Sequence, residues 1–160
     1  MVATITAKDN SIAVKKELLK VSQRVPKAIK KALANAAAFE IGAIKKRTQT
    51  RGVDYRGNAF APYSPKYKRA AVKQSGVVDL TDTGQMFSSL TSKISASKGE
   101  LFFRQGFANR KAFFHDEAGA GKKKVKREFF SISKDEEVKI EKIFFSVLEK
   151  ELKLWVYEKI

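Results

Sequence analysis

The stretch VDLTDTGQMFSSL, residues 78–90, decides how the rest of the chain is read. Leu80 is an apolar anchor, and Thr81 or Asp82 is placed to cap the backbone N–H groups of a turn beginning near Thr83. Gly84, Met86, Phe87 and Leu90 then give a short helix with one apolar side. A polar turn, a cap and a small helix carry no chemistry by themselves, so the flanking segments must supply the argument.

Downstream, residues 91–96 and 100–107 read as a hairpin turning at Lys98 and Gly99, with Leu101 and Phe103 alternating against Phe102 and Arg104. Residues 108–118 suit a short helix carrying Phe113, Phe114 and His115. AGAG (118–121) and KKKVKR (122–127) read as a flexible, strongly basic loop leading into a strand, EFFSI (128–132). Ser133 and Glu136 form a capping box, with acids in the first turn. The helix they open carries Val138, Ile140, Ile143, Phe144, Val147, Leu148, Leu152 and Trp155 mostly along one face.

Upstream, residues 2–7 are β-prone, with Asp9, Asn10 and Ser11 as turn and cap before a helix over 12–21. Pro26 fits the first position of a second helix, running to about Arg47. Ile29, Leu33, Ala36, Ala37, Ile41 and Ile44 make its buried stripe, while Lys27, Lys30 and Lys31 share another face. Residues 51–65 form a long loop punctuated by Gly52, Gly57, Pro62 and Pro65. Ser64 caps and Pro65 starts a short basic helix over 66–73, which Gly76 ends. Tyr55, Arg56, Phe60, Tyr63, Tyr67, Lys68 and Arg69 interleave aromatic with basic character. Such a pattern can bind single strands by stacking and charge, but more often it is a loop pinned to a core by its aromatics, and that is the expectation here.

The 160 residues suggest one domain, 1–160, with 1–25 as an arm or helix. A domain of this size buries ~68–70% of its unfolded surface, enough for a core without staples. The absence of Cys excludes disulfides and thiolate metal sites and fits a reducing compartment. The N-terminal residues carry no apolar leader, and no apolar run approaches the ~20 residues of a membrane span, so a soluble protein made inside the cell is expected.

The formal charge is +16, unevenly spread. Across residues 18–78, 14 basic residues stand against two acids, Glu40 and Asp54, whereas from Asp79 onward 16 stand against 13. The positive segment would attract a polyanion or an acidic protein.

Catalytic patterns are missing. There is one His, with no glycine-rich phosphate loop and no H-E-x-x-H. His115, Asp116 and Glu117 lack the second His of common metal sets, and Asp79, Asp82, Asp116 and Glu117 have no diagnostic spacing for Mg²⁺. A structural, hydrogen-bonded His115 is the expectation, with no catalysis and no cofactor.

Taken in order, the segments resemble the tail-completion (virion morphogenesis) proteins of tailed phages. The shared pattern starts with an Ala-rich helix and a loop G-x-D-x-x-G-x-x-F-x-P, here Gly52, Asp54, Gly57, Phe60 and Pro62. Next comes L-x-D-T-G-Q-M-x-x-S-L, with Leu80, Asp82, Thr83 and Gly84 at its head. A hairpin, H-x-x-x-G (His115 and Gly119), a basic loop, R-x-F-F (Arg127, Phe129, Phe130), S-x-x-D/E and a long helix complete it. The likeness covers roughly residues 26–152. It departs at Lys126, where the family often has Pro, and at Phe60, where it often has Trp.

The resemblance implies an α+β fold, with helices packed on a small, mostly antiparallel sheet and a long C-terminal helix. It also implies a structural role in tail completion or head–tail joining. The protein would form a homo-oligomeric ring, hexameric or higher, in the virion neck or upper tail, assembled in the host cytoplasm. Its partners would be neighbouring neck and tail proteins and genomic DNA in the lumen, with no membrane. The basic loop, Lys122, Lys123, Lys124, Lys126 and Arg127, is then the expected contact with protein or DNA. If all five met phosphates, log K would fall against log salt with a slope of about −4.5. The alternative function is a free nucleic-acid-binding protein using the basic 18–78 segment.

Overall fold

Two long helices lie antiparallel, and the first of them also packs against a small hairpin. The structure, a computed structural model, describes residues 11–64 and 76–157. α1 spans Ser11–Lys45 and is extended by one wide turn with π-helical bonding, Lys46–Arg51, which Gly52 ends in the left-handed conformation. α2 is the short helix Gln85–Ser88, β1 is Leu90–Ile94 and β2 is Gly99–Phe103. α3, Gly106–Phe113, also runs into a π-helical turn, Phe114–Ala118, and α4 is Lys134–Tyr157. This is the α+β architecture expected, with α4 as the long C-terminal helix. Among the described residues no helix is long and apolar enough to cross a membrane.

The pairing of α1 with α4 follows from the alanines. Ala28, Ala32, Ala36 and Ala37 are buried along one stripe, allowing close approach, and Ile44 closes it. Lys31 meets Glu151 at 2.6 Å and Arg47 meets Glu136, so the two axes run in opposite directions. Beyond that overlap the start of α1 stands clear, and Ile12, Val14, Leu18 and Leu19 are exposed there.

Several expectations are corrected. Pro26 does not begin a helix; it sits inside α1. The N–H it lacks leaves the Ser22 carbonyl without its helical donor, but Ser22 is exposed and water can replace the bond. The hairpin turns over 95–98, not at Gly99, which pairs with Ile94. Ser95 closes that turn, its N–H donating to the Lys98 carbonyl at 2.8 Å and its hydroxyl accepting from the Lys98 N–H at 3.1 Å. β2 stops at Phe103 and Gly106 already lies in α3.

No strand forms over 128–132. Side chains from elsewhere take the backbone groups a strand would need. Arg47 donates to the Phe129 and Ser131 carbonyls, and Asp116 Oδ1 accepts from the Phe130 N–H at 2.9 Å. The strand expected over 2–7, the turn at Asp9 and Asn10, and the helix over 66–73 with Pro65, Tyr67, Lys68 and Arg69 lie outside the described residues, as does the side chain of Trp155.

The core sits between the end of α1, the hairpin and α3. Phe129 is fully buried, with ring centroids 5.6 Å from Phe87 and 6.2 Å from Phe103. Ile44, Leu80, Met86 and Leu90 complete the packing.

Candidate functional site

The segments singled out in the sequence converge around Arg127. Its side chain is buried, contrary to its expected place in an exposed basic loop. Nε donates to the Ala61 carbonyl at 3.0 Å and Nη2 to the Pro62 carbonyl at 3.3 Å, while the guanidinium lies 5.4 Å from the Tyr63 ring centroid. The Arg127 N–H donates to the His115 carbonyl at 2.7 Å. One arginine therefore ties the 52–64 loop to the end of α3.

That loop is internally braced. Asp54 Oδ1 accepts from the N–H groups of Arg56 and Asn58, both at 2.8 Å, and Oδ2 from the Asn58 amide at 3.1 Å. Burial works against the Asp54 carboxylate, yet the bonds from Asn58 and Arg56 hold its pKa below the ordinary value. The Phe60 N–H donates to the Gly52 carbonyl at 2.9 Å, and Phe60 is buried. Gly52 has φ +65°, and a Cβ there would come within 2.9 Å of Val77 and 3.2 Å of the Val78 carbonyl. The family-like glycine is thus required twice, for its backbone and for its contact.

Tyr63 carries the bracing on to the next segment. Its hydroxyl donates to Asp79 Oδ1 at 3.2 Å and accepts from the Leu80 N–H at 2.9 Å. Neither Thr81 nor Asp82 caps α2; Gly84 occupies the cap position and makes no side-chain bond. Thr81 instead donates its hydroxyl to the Asp79 carbonyl at 3.1 Å and accepts from the Gln49 amide at 3.0 Å. Asp82 and Thr83 are exposed on the rim of the turn.

The lysine segment is a tight hairpin-like turn, closed by paired bonds between Ala120 and Val125 at 2.8 and 3.1 Å. Gly119 makes this closure possible: a Cβ there would stand 2.3 Å from the Lys124 carbonyl oxygen. Lys122, Lys123, Lys124 and Lys126 are exposed. The presented basic set is therefore four residues, not five.

His115 is half-buried, with Nδ1 enclosed and lacking a hydrogen-bond partner. Burial, then the charges of Arg127 and Lys111, push its pKa below the ordinary value and favour the neutral ring. Pro62, Tyr63, Leu80, Met86, Val125 and the flanking lysines enclose a cleft of about 820 Å³ between the two loops. Among the described residues no three His, Asp or Glu side chains stand together as a metal site.

A second polar cluster was not anticipated. Arg47 is buried where α1 meets α4, paired with Glu136 and 3.8 Å from Glu40. Glu136 also accepts from the Ser133 N–H at 2.8 Å, completing the expected capping box. A signal was present: Glu40 is the lone acid in the Ala36, Ala37, Ile44 stripe, with Arg47 a further turn along.

No family model, curated protein or solved structure matches the chain.

Proposed function

We propose that this protein is a non-enzymatic structural component of a tailed-phage virion, acting in tail completion or head–tail joining as a ring subunit around the DNA channel. The observation that carries the reading is the convergence of separate motif segments on one buried arginine. Arg127 of R-x-F-F binds the carbonyls of Ala61 and Pro62 from the G-x-D loop and, through its N–H, the His115 carbonyl of H-x-x-x-G. Tyr63 joins the same loop to Leu80 at the head of the D-T-G-Q-M segment. The residues that carry the resemblance serve here to hold two loops rigidly at one surface, which is what an assembly subunit needs.

The test is cryo-electron microscopy of virion necks, comparing wild type with a variant in which Lys122, Lys123, Lys124 and Lys126 are changed to Gln. A ring of this protein in wild-type necks, with unjoined heads and tails in the variant, is the expected result. Intact joined virions lacking the protein would overturn the reading.

The exposed Lys27 and Lys30 on α1 favour a second reading, a free nucleic-acid-binding protein. It requires the purified chain to bind DNA with a steep salt dependence and needs no ring.

A further inference from the structure

The cleft between the 80–87 turn and the 120–125 turn is more than the gap left by two braced loops. Its floor is apolar, made by Leu80, Met86 and Val125, and its rim carries the exposed Lys111, Lys122 and Lys123. At about 820 Å³ it lies within the size range of ligand-binding clefts and has room for a few side chains.

Backbone strain marks one wall at Leu80 and, at Lys124, the turn that supplies the other. Among the described residues, Leu80 (φ 52°) and Lys124 (φ 50°) are the non-glycine positions with positive φ. An L-residue is strained in this conformation, and such strain gathers at ligand clamps. Leu80 is held by the Tyr63 hydroxyl and Lys124 by the Ala120–Val125 closure.

We infer that this cleft receives an acidic segment of a partner protein, in which an apolar or aromatic side chain stands next to a carboxylate. The apolar side chain packs on Leu80, Met86 and Val125, and the carboxylate meets Lys122 and Lys123. The inference rests on the reading that this face docks a neighbour in the virion, and it specifies that neighbour's chemistry.

Charge selects the occupant. A second copy of the chain would bring another +16 to a positive rim, so the contacts between ring subunits are assigned to other surfaces. A wholly apolar segment would leave the lysines unmatched. A DNA duplex would touch the lysines from outside and leave the apolar floor open.

The experiment pans a display library of random heptapeptides on the full-length protein, with counter-selection on a Lys122→Glu, Lys123→Glu variant. The best binder is then measured by fluorescence anisotropy and mapped by amide chemical shifts. Enriched sequences are expected to place Asp or Glu beside Phe, Trp or Leu. Binding should shift Gly84, Gln85 and Val125, and weaken about tenfold or more in the variant, whereas Lys139→Glu, Lys142→Glu on α4 leaves it unchanged.

Three results would overturn the inference: enrichment of acids with no apolar requirement, equal weakening by both charge-reversal pairs, or amide shifts elicited by an oligonucleotide in place of the peptide. If neck assembly still depended on the four lysines, the virion role would stand and the cleft's part in it would fall.

Discussion

Arg47 and Glu136 stand 89 residues apart in the sequence, yet their side chains pair where the last turn of α1 meets the first turn of α4. The same guanidinium donates to the Phe129 and Ser131 carbonyls, so one side chain fixes both the helix pair and the irregular segment leading into α4. Arg47→Ala would leave the buried Glu40 carboxylate, the half-buried Glu136 carboxylate and two carbonyls without their cation. A loss of about 3–5 kcal/mol is expected, read as a lower midpoint in urea unfolding.

Glu40 makes this cluster pH-dependent. Burial, then the Glu136 charge, raise its pKa from 4.5 to about 7, against the opposing pull of Arg47. The folded chain therefore binds this proton more tightly than the unfolded chain, and stability falls as pH rises from about 4.5 to about 7. The span corresponds to on the order of 3 kcal/mol. Glu40→Gln, which keeps the shape without the charge, should match wild type near pH 4.5 and exceed it at pH 8. Unfolding curves of the two proteins across that range check this. Parallel pH profiles would contradict it.

Gly119 and Gly57 separate two costs of adding a methyl group. Both have positive φ, but a Cβ at Gly57 meets nothing within 4 Å whereas one at Gly119 collides with the Lys124 carbonyl. Gly57→Ala is expected to cost about 1–2 kcal/mol from backbone strain alone. Gly119→Ala should cost more and open the 120–125 turn. Limited proteolysis should then cut after Lys122 or Lys123 in that variant first.

Arg127 and its lysine neighbours should behave as different kinds of residue. Replacing Lys122, Lys123, Lys124 and Lys126 with Gln is expected to leave stability within about 0.5 kcal/mol, as at other exposed positions. Arg127→Lys should destabilise measurably, because an ammonium cannot span the Ala61 and Pro62 carbonyls and also lie on Tyr63. If the turn met DNA, the log K against log salt slope would approach about −3.6 for four phosphates, not the value for five. Thermal melts and a salt titration measure the two effects.

The fold was legible where periodicity and caps act locally. Ala36, Ala37 and Ile44 of the α1 stripe, the alternation of Leu101 and Phe103, and the Ser133–Glu136 capping box each announce their element within a few residues. Ile29, Leu33 and Ile41 of that stripe are only half-buried, however, and Ala28 and Ala32 are buried in addition. The errors fell where distant groups decide. Residues 128–132 have the composition of a strand, but Arg47 and Asp116 claim their backbone. Arg127 lies next to four exposed lysines in sequence, and nothing local signals that it turns inward to Ala61 and Pro62. Pro26 reads as a helix start because its ring favours that position, and only the exposed Ser22 carbonyl shows why the helix continues.

The separation of α1 from α4 also sets an order of events during synthesis. Arg47 leaves the ribosome 89 residues before Glu136, a wait of about 4–18 s at ordinary elongation rates. Throughout that interval the alanine stripe has no α4 to cover it, and Glu40 and Arg47 have only each other. A nascent chain stalled before α4 would present this open face to chaperones and proteases, while a chain that has added α4 would hide it in one step.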